Sequence, residues 1–473
     1  MTSVASEKPA CLIVFGITGD LAKRKVLPAI YHLFKEGLFP DGTQIIGTSR
    51  QAITTQDLLK EVELCVLEID NICDPDALQL FTDNLHIVQL DPDKDSDYDN
   101  LRDTLDSIDK AKGQKFNRLY YLSIPPQVYS SVIRHLGDHS LNSIGENGNG
   151  VSRLLVEKPF GYDVLSAEKL IADTATAFQE DQIFRIDHYL AKETAQNILT
   201  FRRHNPLFNS LWNAQHIRAV EVLATEEIGI EGRANFYDSV GALRDLVQSH
   251  LLQLLTLTLM DLPSDDNDVD QLHVCKQKFL EAIAPIKAEK VVTQVVRAQY
   301  NGYREEVDKP NSSTETFVSL EIFSSLPKWQ GIPFRLVTGK ALASKQTTIS
   351  LYFGTSESDI NQLTFRIQPN EGIDVQLLVK TPGYEAALQS ANMNFSYANT
   401  FAARGQPDAY ERVLVDAIRG DKSLFATSEE VLASWKILQP ILDAWGINNA
   451  KDNSNSDLLH YDIGASAASI TRR

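Results

Sequence analysis

The chain has 473 residues and a formal net charge of −18, with 43% hydrophobic and 23% charged residues. That length allows two or three domains with sizeable cores, and the composition is that of an ordinary globular protein. The charge argues against nucleic acid or an anionic membrane as the main partner, and no run of about 18 apolar residues suggests a membrane span.

The first ten residues lack an apolar secretory segment. The four cysteines, Cys11, Cys65, Cys73 and Cys275, show neither disulfide-framework nor zinc-ligand spacing. Reduced thiols in a cytoplasmic protein are expected, with no metal site. Residues 11–15, Cys-Leu-Ile-Val-Phe, form a short apolar run that reads as a buried parallel strand. Gly16-Ile-Thr-Gly19-Asp-Leu-Ala22 follows, then a helical pattern through Leu27, Ile30, Tyr31 and Phe34. Glycines stand where backbone must approach a pyrophosphate, and Ala22 where helix packs on strand, although the turn falls short of a full G-x-G-x-x-G. Pro28 predicts a kink or break. The next strand, 44–48, leads to Arg50-Gln51 and not to the acidic residue that hydrogen-bonds a ribose 2′-hydroxyl. Arg50 suits the 2′-phosphate of NADP, while neutral Gln51 leaves NAD open. Further strands are expected at 86–90, 118–124, 152–156 and 183–186. Their alternation with helical patterns predicts a Rossmann-like, doubly wound parallel sheet over residues 1–187.

Ligands of such sheets sit at the carboxyl ends of the strands. The strand at 152–156 ends in Glu157-Lys158-Pro159. A lysine fixed there can reach both coenzyme and substrate, the plainer alternative being an exposed lysine in a turn. Arg185-Ile-Asp-His-Tyr-Leu-Ala-Lys-Glu193 places Asp187, His188 and Lys192 at the mouth of a helix, with His188 and Lys192 four apart and so on one face. Free N–H groups and a partial positive charge at a helix start suit a phosphate monoester or another dianion. The alternative is an Asp-capped helix with solvated charges.

Residues 188–473 read as a second, α+β domain. Strands are expected at 216–223, 291–299, 316–322, 333–338, 346–353, 363–368 and 373–380, several with period-two alternation. They predict a large, mostly antiparallel sheet with helices on one face. Helices return at 407–419 and 428–445, and the tail after residue 450 is expected to be loosely ordered. At about 100° per residue, His250 lines up with Leu243, Leu246, Val247, Leu254 and Leu257 in an apolar stripe. It is either a satisfied core histidine or a partly buried general base. A base needs a carboxylate on its other ring nitrogen, for which Asp187 is a candidate. Asp245 lies on another side of the helix and is assigned to substrate hydroxyls.

Gly16-x-Thr-Gly-Asp-Leu-Ala, Glu157-Lys-Pro-Phe-Gly, Arg185-Ile-Asp-His-Tyr-Leu-x-Lys-Glu, Arg244-Asp-x-x-Gln-x-His-Leu-Leu-Gln, Ser313-Thr-Glu-Thr-Phe, Gly339-Lys340 and Ala409-Tyr-Glu-Arg occur in this order. With them the chain resembles the glucose-6-phosphate dehydrogenase family over about residues 10 to 445. The resemblance implies oxidation of glucose 6-phosphate at C1 to 6-phosphogluconolactone, with hydride passing to NADP or also to NAD. It implies His250 as base and Asp187 as the group that orients it. His188, Tyr189 and Lys192 would hold the phosphate, and Lys158 would bridge substrate and coenzyme. Glu226, Asp245, Lys340, Lys345 and Gln368 would contact the sugar. Gly16, Thr18, Gly19, Asp20, Leu21, Arg50 and Gln51 would frame the coenzyme. It also implies a homodimer, or a tetramer, with the large sheet as interface. Ala191 departs from the family's usual glycine, Asn235-Phe236 from a small-residue pair, and the segment from Gly464 from its usual Trp-Gly-Pro. Two competing readings are another sugar oxidoreductase without phosphate dependence and a nucleotide-binding protein that has lost turnover.

Overall fold

Short apolar runs punctuated by glycine and proline become parallel strands in the computed structural model, which describes residues 8–70, 73–143, 150–354, 361–385, 387–401, 407–446 and 457–471. The strands are β1 (Ala10–Phe15), β2 (Gln44–Ser49), β3 (Leu85–Gln89), β4 (Asn117–Leu122), β5 (Ser152–Val156) and β6 (Ile183–Ile186). β1 and β2 are buried at every residue, as strands covered on both faces must be. They pair in the order β6-β5-β4-β1-β2-β3, so the winding reverses between β1 and β4. That reversal is where an open sheet leaves its ligand crevice. Pro28 does not break the helix that follows β1. Residues Ala22–Val26 take a wide π turn, with the Leu27 N–H donating to the Ala22 carbonyl, and Leu27–Lys35 continue as an α-helix, so the wide turn comes directly before the residue that has no N–H to donate.

The second sheet is built from β7 (Ile217–Thr225), β8 (Ile283–Ala284), β9 (Val295–Tyr300), β10 (Phe317–Ser324), β11 (Phe334–Gly339), β12 (Gln346–Phe353), β13 (Asn361–Gln368), β14 (Gly372–Lys380) and β15 (Leu388–Ser396). Its order is β15-β14-β13-β12-β7-β11-β10-β9, with β8 on β10. Only β7 with β11 pairs parallel within this set, so the sheet is mostly antiparallel. Residues Val291–Gln294, expected as strand, form a helical turn ahead of β9. The chain then adds β16 (Phe425–Ala426) antiparallel to the β6 edge, and β17 (Leu458–Tyr461) parallel to β9. β17 corrects the expectation of a loose tail, because Tyr461 is buried and its hydroxyl donates to the Lys340 carbonyl at 2.7 Å.

The chain divides into two compact units, the first comprising residues 1–161, 165–191 and 407–428, the second 162–164, 192–406 and 429–473. Segment 407–428 joins the first unit because the helix Ala409–Arg419 turns Tyr410, Val413, Leu414, Ala417 and Ile418 into that core. Burying each such aliphatic side chain stabilises by about 1.5–3 kcal/mol. Asp408 caps its start by accepting the Tyr410 N–H at 2.8 Å.

Candidate functional site

In the first unit the turn after β1 is shaped by what it lacks. Gly16 has φ +75°, and a Cβ there would stand 2.5 Å from the Ser123 carbonyl oxygen at the end of β4. No other residue fits so close a backbone approach. The Gly19 N–H donates to the Gly16 carbonyl at 2.9 Å, closing the turn. Thr18 and Asp20 are exposed, with Asp20 paired to Arg24 at 2.7 Å, while Leu21 packs partly against the core. Arg50 and Gln51 lie exposed just past the end of β2, the neighbour of β1. The crevice, the glycines and an exposed guanidinium fit a dinucleotide.

The strand ends of β5 and β6 carry titratable groups. Glu157 is buried, accepts the Tyr121 hydroxyl at 2.5 Å, and its backbone carbonyl accepts the Tyr129 hydroxyl at 3.2 Å. Burial pushes its carboxyl up to about 7, against the lowering pull of that hydrogen bond and of Lys158, with Asp187 adding to the rise. The partly buried Lys158 follows, joined to Pro159 by a cis peptide bond. Asp187 is buried, and its Oδ1 accepts the Tyr189 N–H at 2.9 Å. The ring of half-buried His188 stacks on Tyr410 at 6.2 Å between centroids. Burial, with Glu157 and Asp187 adding to it, raises the Tyr410 hydroxyl well above its ordinary value.

One expectation needs correction. His188 and Lys192 do not share a helical face. Residues 188–191 form a turn, and the helix is Glu193–His204 with Lys192 as its N-cap residue. The Asp187 side chain satisfies the Tyr189 N–H and its carbonyl accepts the Leu190 N–H at 3.0 Å, so these donors are spent on the turn before the helix begins.

In the second unit, strand register gathers residues that lie far apart in sequence. Gly339 and Gln346 both pair with Thr225, and Thr347 pairs with Ala224 and Gln368. Glu226, Lys340, Lys345 and Gln368 therefore cluster at the same end of the adjacent strands β7, β11, β12 and β13. Lys340 is buried, pairs with Glu226, and sits 5.1 Å from the centroid of the Tyr237 ring. Asp245 adds to the rise that burial imposes on the Tyr237 hydroxyl. Lys192 Nζ donates to Gln368 Oε1 at 2.7 Å, and Gln368 Nε2 donates to Thr347 Oγ1 at 3.0 Å. Lys345 is exposed, its N–H donating to Glu227 at 3.3 Å.

His250 is fully buried in a wide-turned segment, Leu243–Leu251, that runs into the α-helix Leu252–Leu259. The expected single stripe is not seen. Gln248, Ser249 and all of Leu252–Leu259 are buried as well, as for a helix surrounded by protein. Glu315 fixes the start of this helix, accepting the Leu243 N–H at 2.9 Å on its carboxylate and the Ala242 N–H at 3.0 Å on its carbonyl. Gly241, at φ +71°, leaves room for that carboxylate, which would lie 2.4 Å from a Cβ. Glu315, Tyr237 and Tyr121 were not singled out from sequence. Only the Ser-Thr-Glu-Thr-Phe motif pointed near the first of them.

Residues 13–197 match the family described as "Glucose-6-phosphate dehydrogenase, NAD binding domain", and residues 199–470 match "Glucose-6-phosphate dehydrogenase, C-terminal domain". The chain is 38% identical to a glucose-6-phosphate 1-dehydrogenase of Chlamydia pneumoniae, over 97% of this chain and 93% of that one. It is 39% identical to one from Rhizobium meliloti, over 93% and 91%. A solved glucose-6-phosphate dehydrogenase in complex with its substrate glucose-6-phosphate superposes with a TM-score of 0.88 at 30% identity, covering 99% of each chain.

Proposed function

The chain belongs to the glucose-6-phosphate dehydrogenase family, and from that premise we propose how its residues divide the reaction. It oxidises glucose 6-phosphate at C1 to 6-phosphogluconolactone, the nicotinamide coenzyme accepting the hydride. The observation that carries the assignment is the common strand end shared by Glu226, Lys340, Lys345 and Gln368.

His250 takes the proton of the 1-hydroxyl as C1 is oxidised, and Asp187 orients the ring and stabilises the imidazolium. His188, Tyr189 and Lys192 hold the 6-phosphate. Because the phosphate is remote from C1, that binding raises the rate by positioning. Asp245, Glu226, Lys340, Lys345 and Gln368 take sugar hydroxyls, and Lys158 bridges sugar and coenzyme. Gly16, Thr18, Gly19, Asp20 and Leu21 bring backbone to the pyrophosphate, while Arg50 and Gln51 meet the adenosine ribose. The exposed Arg50 favours NADP, with NAD as a second acceptor. A second copy of the chain fits the β14–β15 face, where Leu377, Val379, Leu388 and Met393 are exposed. The cytoplasmic compartment belongs to the same proposal. No helix among the described residues is long and apolar enough to cross a membrane.

The test is nicotinamide absorbance with glucose 6-phosphate, glucose and galactose 6-phosphate, each with NADP and with NAD. Reduction is expected with glucose 6-phosphate, fastest with NADP. Equal rates with glucose would point to the non-phosphate sugar oxidoreductases, and no reduction with any sugar to a protein without turnover.

A further inference from the structure

A group of donors in the first unit takes no part in this chemistry. Asp95 opens the helix Asp95–Lys112, and His135 and His139 lie one turn apart at the end of the helix Tyr129–Asp138. His135 Nδ1 is 3.2 Å and His139 Nε2 is 3.0 Å from Asp95 Oδ1. The three donor atoms lie within 4.8 Å of one another. Ligand bonds of about 2.0–2.1 Å in tetrahedral geometry place donor atoms about 3.3 Å apart, close to the 3.2 and 3.0 Å of these two pairs.

Simple charge-assisted hydrogen bonding would account for His139 but not for His135. That ring is 3% exposed, and its Nδ1 is at ion-pair distance from the carboxylate but not aimed at it in good hydrogen-bond geometry. The Arg134 guanidinium can only donate to Nε2, so Nδ1 carries the ring proton here, and a buried N–H poorly aimed at its carboxylate costs stability. His139 is also oriented from behind. Its Nδ1 is 3.1 Å from Asp99 Oδ1, one turn along the helix from Asp95. A carboxylate on the far nitrogen of a histidine is the usual outer support of a metal ligand. Tyr98 packs against both rings, at 4.8 and 5.9 Å between centroids, and its hydroxyl is tied to the Pro92 carbonyl at 2.9 Å.

We propose that Asp95, His135 and His139 form a binding site for a divalent zinc ion, with Asp99 as the outer partner of His139. Two imidazoles and a carboxylate select zinc or a neighbouring late first-row ion over magnesium. Cysteine spacing does not reveal this His-x-x-x-His pair, whose carboxylate lies 44 positions upstream of His139. Arg134 Nη2 sits 3.3 Å from His135 Nε2. Binding at Nδ1 moves the ring proton to Nε2, so this contact opens when the ion enters. Arg134 is exposed and free to swing away.

The experiment is calorimetric titration of metal-stripped protein with zinc chloride and, separately, magnesium chloride, for the wild type and the variants His139→Gln, Asp95→Asn, Asp99→Asn and Arg134→Gln. The wild type is expected to bind one more zinc per chain than His139→Gln or Asp95→Asn. Asp99→Asn should keep the site with about 10- to 100-fold weaker affinity, Arg134→Gln should bind as well or better, and magnesium should not compete. Should His139→Gln fail to fold, exposed Asp95→Asn decides. Zinc stoichiometry and affinity unchanged in Asp95→Asn, or no zinc bound by the wild type, would overturn the proposal. Turnover with glucose 6-phosphate is measured alongside, so loss of the metal site is distinguished from loss of the enzyme.

Discussion

After β1 the chain turns through Gly16-Ile-Thr-Gly19, where a Cβ on residue 16 would stand 2.5 Å from a neighbouring carbonyl oxygen. After β6 it turns through Asp187-His-Tyr-Leu, where every residue carries a side chain and Asp187 folds back onto the Tyr189 N–H at 2.9 Å. Both turns leave parallel strands of one sheet. In the proposed reading the first brings bare backbone to the coenzyme, so adding an atom should disable it. In the same reading the second acts through what its side chains hold, so taking one away should disable it. A site of the first kind is written in consecutive residues, whereas a site of the second kind depends on partners elsewhere in the chain.

The largest effect is expected at neither turn, which isolates chemistry from binding. His250→Asn should lower kcat by about a thousandfold while KM for glucose 6-phosphate changes only a few-fold. Steady-state kinetics with near-normal kcat would remove His250 as the base. Glu157 extends the comparison to the end of β5, where a buried side chain is held largely neutral. The folded protein keeps this proton up to about pH 7, whereas the unfolded chain loses it near its ordinary value of 4.5. Between those values the folded state binds more protons, so stability should fall as pH rises, by about 3 kcal/mol in all. Urea unfolding of Glu157→Gln should lack this part of the slope. Identical pH profiles would mean that Glu157 is ionised in the fold. Gly16→Ala should weaken coenzyme binding by about ten- to a hundredfold through strain at positive φ, with KM for the sugar little changed. Normal coenzyme affinity in that variant would erase the contrast between the turns.

Much of the first sheet was legible because a parallel strand buried on both faces must be a short apolar run, as at Cys11–Phe15 within β1. β15 was not legible. Leu388-Gln-Ser-Ala-Asn-Met-Asn-Phe-Ser has exposed or half-exposed residues throughout, and no alternation marks it. β17 was missed because its pairing with β9 depends on a contact between residues more than 150 positions apart. The glycine turn could be read directly from its residues. The pairings of Lys340 with Glu226 and of Lys192 with Gln368 could not, since they are contacts made across 114 and 176 positions. Lys192 was legible from its spacing to His188, whereas Glu226, Lys340 and Gln368 were pointed to only by the family resemblance. The turn at 187–191 was read as helix because four-residue spacing suits both, and the Asp187 side chain decides between them.

The contrast between the turns rests on side chains reading the phosphate, and Lys192→Ala tests this most directly. With kcat/KM measured for glucose 6-phosphate and for glucose, loss of one charge-assisted contact of about 2–3 kcal/mol should cut the preference for the phosphorylated sugar about a hundredfold. KM for the coenzyme should stay within about twofold, as expected for a contact made only to the sugar. An undiminished preference for glucose 6-phosphate, or an equal loss of affinity for the coenzyme, would contradict the account.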